Sequence, residues 1–197
     1  MSYDDLRLAL HGYIHRDDQA TTDNEVTALE LARQAVGRRF FPREALAPLA
    51  GVVPPDGVFP LPADFAMLES VIGAKGQELE YRSLRDFQAE QLAPPAGPKN
   101  VYTMTGAALL LPAGAHDQVS GSYFAKPPVI VGTATNWLAA NYSDVWLHAA
   151  IAEQWRYLQD FDSADLTDSY WQRLAGQAQA DSTAARQSGG AVRIKGR

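Results

Sequence analysis

The hydrophobic period of this chain changes twice, and that double change limits the folds open to it. Apolar residues recur at helical spacing up to about Phe40, alternate in short runs from Phe65 to Phe124, and return to helical spacing after Asn136. The order helices, strands, helices predicts a mixed α+β chain in which the middle is inserted into a helical framework.

At the start, Tyr3, Leu6, Leu10, Tyr13 and Ile14 lie on one face of a predicted helix from Ser2 to about Ile14. Thr22 and Glu25 fit a capping box for a second helix, along which Val26, Leu29, Val36 and Phe40 form an apolar stripe and Pro42 marks the end. Ala47 to Pro62 carries five prolines and reads as an extended crossing segment. Short strands are predicted at Phe65–Ile72, Glu78–Arg82, Val101–Thr105, Ala107–Leu111 and Val119–Phe124, with a helical turn or two at Ser83–Gln91 and a loop at Ala93–Pro98.

Ser143 is the expected cap of a third helix. Its stripes, Leu147, Ile151, Trp155 and Leu158 beside Trp146, Ala150 and Tyr157, cover about half of the circumference at 3.6 residues per turn. Such a helix either lies central among the others or meets a second subunit. Asp162 or Ser163 is the expected cap of a fourth helix, with Leu166, Tyr170, Trp171, Leu174 and Ala178 on its apolar side, fading after Ala185. The boundaries that follow are 1–46 for the N-terminal helices, 47–135 for the crossing and β-rich insertion, 136–186 for the C-terminal helices and 187–197 for a basic arm. The fold class is a bundle of two N-terminal and two C-terminal helices with one small antiparallel sheet inserted and an extended C-terminal arm.

Composition narrows the chemistry. The chain has 197 residues, 46% of them hydrophobic and 20% charged, so it can bury a core without metal or disulfide. It has no cysteine, which removes disulfides, thiolate metal sites and a cysteine nucleophile. The acidic start, Met1-Ser2-Tyr3-Asp4-Asp5, lacks the pattern of a signal peptide, and no apolar run is long enough to cross a bilayer. Synthesis in the cytoplasm and no membrane partner are the expectation.

No catalytic motif emerges. Gly73-Ala74-Lys75-Gly76 is too short for a phosphate-binding loop, and Asp160–Asp165 lacks the glycine and terminal glutamate of a calcium loop. His11 and His15 have a chelating spacing without a third ligand, so surface histidines are expected, and no metal or cofactor. His116 and His148 adjoin no serine motif. Arg33, Arg38, Arg39 and Arg43 are the best case for nucleic-acid binding, yet few aromatics interleave them and the net charge is −6. After Asp181 the chain carries Arg186, Arg193, Lys195 and Arg197 and no acid, with Val192 and Ile194 between them. That pattern reads either as a plain terminus or as an arm that orders on an acidic partner.

Several stretches, in order, resemble the head-to-tail adaptor (connector) proteins of tailed bacteriophages. They are Leu61-Pro62-Ala63-Asp64-Phe65, Leu79-Glu80-Tyr81, Tyr102-Thr103-Met104-Thr105-Gly106, Leu109-Leu110-Leu111-Pro112, Tyr123-Phe124-Ala125-Lys126-Pro127, Asn136-Trp137-Leu138 and the helix from Asp144 to Leu158. The resemblance implies a structural, non-enzymatic virion protein at the head–tail interface, assembled in the host cytoplasm. It implies a ring homo-oligomer, a dodecamer, whose partners are the portal protein, a tail or stopper/nozzle protein, and double-stranded DNA passing without sequence-specific binding. Arg186, Val192, Arg193, Ile194, Lys195 and Arg197 become candidates for portal docking, and Trp146, Trp155, Trp171 and Tyr157 for inter-subunit or core packing. The loop Ala93–Pro98 becomes a candidate contact to a ring neighbour or tail protein. The alternatives are a tail-side stopper or nozzle component, or a small ligand-binding or nucleic-acid-binding module.

Overall fold

A computed structural model describes residues 1–16, 18–92 and 100–188, the side chains of 186–188 excepted. The fold is mixed α+β, with six α-helices and two small sheets among the described residues. The chain divides into two compact units, one formed by Met1–Ala45 with the chain from Lys126 onward, the other by Leu46–Ala125.

The helical unit begins with α1 (Tyr3–Ile14), whose start is fixed by a reciprocal pair: the Asp5 N–H donates to Ser2 Oγ and the Ser2 N–H donates to Asp5 Oδ2. Leu6, Leu10 and Ile14 are its buried stripe, while Tyr13 is exposed. α2 (Gln19–Gly37) is capped by Asp18, which accepts from the Thr21 N–H and hydroxyl at 3.0 and 2.9 Å. The expected Thr22–Glu25 box is therefore corrected. An aspartate one turn earlier takes the free amides, and Glu25 turns inward instead. Val26 is corrected too, being 47% exposed.

α4 (Trp137–Asn141) is a short helix that Asn136 caps by accepting from the Ala139 N–H at 2.8 Å. α5 (Ser143–Tyr157) and α6 (Phe161–Ser188) follow it. Ser143 lies in the first turn of α5 and does not cap it; Tyr142 holds the cap position with no side-chain bond. Asp160, rather than Asp162 or Ser163, caps α6 through the Ser163 N–H and hydroxyl. α6 runs through Ser188, beyond the expected fade at Ala185 and the expected arm boundary at 187.

α5 packs on α2 and on α6, and α1 also rests on it. Val145, Trp146, Ala149, Ala150, Ile151 and Ala152 are buried there against Leu29, Val36 and Trp171. Alanine at three of those six sites lets neighbouring helices approach closely, and each large side chain removed from water adds about 1.5–3 kcal/mol. Leu166 is corrected. It is 75% exposed on α6, whose buried residues are Ala164, Trp171, Ala175 and Ser182.

The β unit holds two sheets where one antiparallel sheet was expected. In the first, β7 (Gln118–Ala125) lies between β1 (Leu46–Val52) and β3 (Phe65–Gly73), both antiparallel to it. In the second, the order is β2 (Val58–Pro60), β6 (Ala108–Leu110), β5 (Val101–Thr105) and β4 (Glu80–Tyr81). β4 and β5 run parallel, with α3 (Leu84–Leu92) in the connection between them.

The crossing segment expected at Ala47–Pro62 is corrected as well, because it contributes β1 and β2. Its prolines obscured this. β1 pairs on one side only, where the missing Pro48 N–H breaks no ladder. A single core of Leu49, Val53, Phe59, Val71, Leu79, Leu109, Leu111, Val119 and Tyr123 fills the unit. Gly121 sits opposite Val71 and Leu49 at its centre, and a Cβ there would run into the Ser70 carbonyl of β3.

Candidate assembly surfaces

The tryptophans expected to pack are not equivalent. Trp146 is 1% exposed and its Nε1–H donates to the Leu29 carbonyl at 2.9 Å, so the indole locks α5 to α2. Trp171 is buried and donates to Asp168 Oδ1 at 2.7 Å, and Asp168 also meets Arg156 at 3.3 Å. Trp155 is half-buried against the same core. Tyr157 is 47% exposed, at the last turn of α5.

Of the residues expected to dock, Arg186 lies in the last turn of α6, and its side chain falls outside the described residues. Val192, Arg193, Ile194, Lys195, Arg197 and the loop Ala93–Pro98 also lie outside them.

Polar ties across the helical unit come from residues to which the sequence reading gave no such role. Glu25 is 3% exposed and receives Arg7 Nε at 3.0 Å, with His11 Nδ1 2.7 Å from its other oxygen. This joins α1 to α2. His15 ends α1 in the left-handed region, at φ 53°, and so does not share the cluster. Gln154, fully buried on α5, accepts from Asn24 and donates to the Thr21 carbonyl. Among the described residues no group of three or more acidic or histidine side chains is arranged to hold a metal ion.

The arginines along and beyond α2 divide. Arg33 is tied to Glu30 and to the Pro127 carbonyl, and its bond holds the Glu30 carboxyl below the usual range. Arg43 lies 3.9 Å from Glu44. Arg38 and Arg39 are exposed with no ion pair among the described residues. A recess of about 260 Å³ is lined by Arg33, Gln34, Gly37, Arg38, Lys126 and Pro127. Its depth depends on Gly37, where a Cβ would meet the Pro127 ring. Every charged group on its wall is a cation.

On the other flank, His148 of α5 stands edge-on to Tyr13 of α1 and to Tyr170 of α6, with ring centroids 5.9 and 4.7 Å apart. Burial pushes the His148 pKa down, partly opposed by Asp144. With Leu166 and Thr167 these rings line a second recess. No local motif announces it, because its members come from three separate helices. Tyr142 is displaced as well: burial, then its hydroxyl's bond to Glu44 at 2.7 Å, push its pKa up.

Taken together, the described residues offer packing seams, exposed apolar side chains and a basic recess. The family model described as SU10 adaptor protein matches the chain over residues 1–195. The chain belongs to this family. The adaptor is thus a head-to-tail adaptor of phage, a structural virion protein from a family that is generally non-enzymatic. Among curated proteins the adaptor has no match. No described helix of the adaptor is long and apolar enough to cross a membrane.

Proposed function

We propose that this adaptor is a subunit of a homo-oligomeric ring, a dodecamer, that joins the capsid portal to the tail and forms part of the channel through which the DNA passes. The observation that carries the reading is the family match over residues 1–195. Two properties of the chain support it. Helices on both flanks of α5 leave apolar side chains uncovered, Leu31 on one and Leu166 on the other, as a ring subunit with a neighbour on either side requires. The net charge of −6 suits a channel that DNA must traverse without adhering.

In this reading the segment from Arg186 to Arg197 docks on the portal, its cations meeting acidic groups while Val192 and Ile194 enter apolar recesses. Trp155 and Tyr157, the less buried aromatics of α5, support the contact between subunits. Electron microscopy of the adaptor with the portal of its own phage tests the assignment. A coaxial ring on the portal is the expected result, lost when Ser188–Arg197 is deleted. Binding to a tail component alone would place the protein as a tail-side stopper or nozzle, and binding to neither would remove the ring reading. Undiminished docking of the truncated chain would take the arm out of the mechanism.

A further inference from the structure

The recess beside the C-terminal half of α2 offers positive charge that the described residues do not neutralise. Three of its six lining residues, Arg33, Arg38 and Lys126, are cations, and none is an acid. They are not in the same state. Arg33, with 13% of its side chain exposed, is fully engaged: Nε and Nη2 donate to Glu30, and Nη1 donates to the Pro127 carbonyl. Arg38 and Lys126 are exposed and make no ion pair or side-chain hydrogen bond among the described residues. Arg33 therefore holds the wall, and the other two cations are left for whatever enters.

The same wall continues into a second open feature. Beyond Pro127 the chain passes through Pro128, Val129, Ile130 and Val131 outside any helix or strand; Ile130 is buried, while Val129 and Val131 are 67% and 72% exposed. Neither the N–H nor the carbonyl of Val129 makes a hydrogen bond among the described residues. Exposed apolar side chains and open main-chain groups thus adjoin the unpaired cations.

We propose that the recess and the segment after it receive a short acidic peptide segment, with an apolar residue beside its carboxylate, from a protein other than this adaptor. Such a segment meets all three features: its carboxylate pairs with Arg38 and Lys126, its apolar residue covers Val129, and its main chain bonds the open Val129 groups. Duplex DNA matches only one of them. Its backbone has no apolar side chain and no main-chain amide, and a phosphate track needs more cations than the two that stand unpaired here. A second copy has little of this kind to insert. Of its described acids outside helices and strands, Asp18, Asp56, Asp64 and Asp160 already bond within their own chain. The inference rests on the adaptor assignment and not on the ring.

Carbodiimide condenses a lysine amine with a carboxylate in contact with it, leaving an amide. Lys126 forms no ion pair within its own chain among the described residues, so an amide at Lys126 reports what occupies the recess. Virions of the adaptor's own phage are treated and their cross-linked peptides identified by mass spectrometry, with the isolated adaptor as control. Lys126 joined to an aspartate or glutamate of a different virion protein is expected, with no such link in the control. Lys126 joined to a second adaptor copy overturns the proposal in favour of self-contact. Absence of any Lys126 link, in particles where other adaptor lysines have reacted, overturns the site and leaves the family assignment standing. As a second measure, Lys126→Glu sets like charge against the incoming carboxylate and should lower the yield of complete particles at least about tenfold, whereas Lys126→Arg should retain it. Circular dichroism verifies the fold of both. Unchanged yield from Lys126→Glu would overturn the proposal. Salt-sensitive binding of duplex DNA to the isolated adaptor, lost in Lys126→Glu, would reassign the recess to phosphate and overturn the peptide.

Discussion

The helical unit and the β unit reach a unique packing by opposite means. In the helical unit, long polar side chains reach between segments distant in sequence: Gln154 to Thr21 and Asn24, Trp146 to Leu29, and Gln179 to both the N–H and the carbonyl of Phe41. Each such bond specifies a partner, because a buried polar group left alone costs about 1–3 kcal/mol. In the β unit the specification comes from side chains that are absent. Gly121 against the Ser70 carbonyl, Gly57 against the Leu111 carbonyl and Gly51 against the Phe59 ring let backbone and core approach where a Cβ would not fit. Side-chain bonds such as Ser70–Ser122 and Tyr123–Asp64 supplement the ladders. One unit is therefore sensitive to truncation, and the other to enlargement.

The largest effect that would test this contrast is expected from Trp146→Ala. Loss of a buried indole and its bond to Leu29 should cost about 3–5 kcal/mol by chemical denaturation. Hydrogen exchange should show the loss at α2 and α5, and equal loss of protection in β1 and β7 would erase the distinction. Gly121→Ala should do the converse, lowering stability by about 1–3 kcal/mol as β7 and β3 are forced apart. Its exchange should rise in those strands, and an unchanged unfolding midpoint would mean that the sheet yields there.

The smallest effect is a sharper probe of the helical unit. Burial lowers the His148 pKa below its ordinary value of 6.5, so between the two values the unfolded chain holds more protons. Stability should accordingly be full above about pH 6.5 and decline on acidification, and His148→Phe should flatten that decline. An identical pH profile from the two proteins would show that the histidine is not an uncharged packing group.

How much of this was legible depends on whether the information is local. The stripe Leu6, Leu10 and Ile14 and the strands of the sheets' middle portion follow from period alone, because each buries one face of a regular element. The Thr22–Glu25 box failed because what Glu25 does is decided by Arg7 and His11 on another helix, and no spacing within α2 encodes that. β1 was hidden by Pro48, which rules out a central strand but not an edge. Leu166 was placed inside because an apolar residue beside Trp171 and Leu174 fits a stripe. Its exposure becomes visible only when α5 claims the opposite side of α6. The aromatic cluster of Tyr13, His148 and Tyr170 had no signal in the sequence at all. The resemblance to adaptors lay mostly in the β unit and α5.

The division of the chain also sets a timetable for its biogenesis. The β unit is one uninterrupted run, Leu46–Ala125, whereas the helical unit is assembled from segments on either side of it. As the polypeptide emerges, α1 and α2 come first but must wait for Trp146 and Ile151 before Leu29 and Val36 are covered. Non-local closure of this kind slows folding and prolongs exposure of apolar surface. The strands can pair during that interval, so the sheets are available as a scaffold before the helices close, and the span in which α2 is uncovered is the stage at which a nascent chain is most open to chaperone capture.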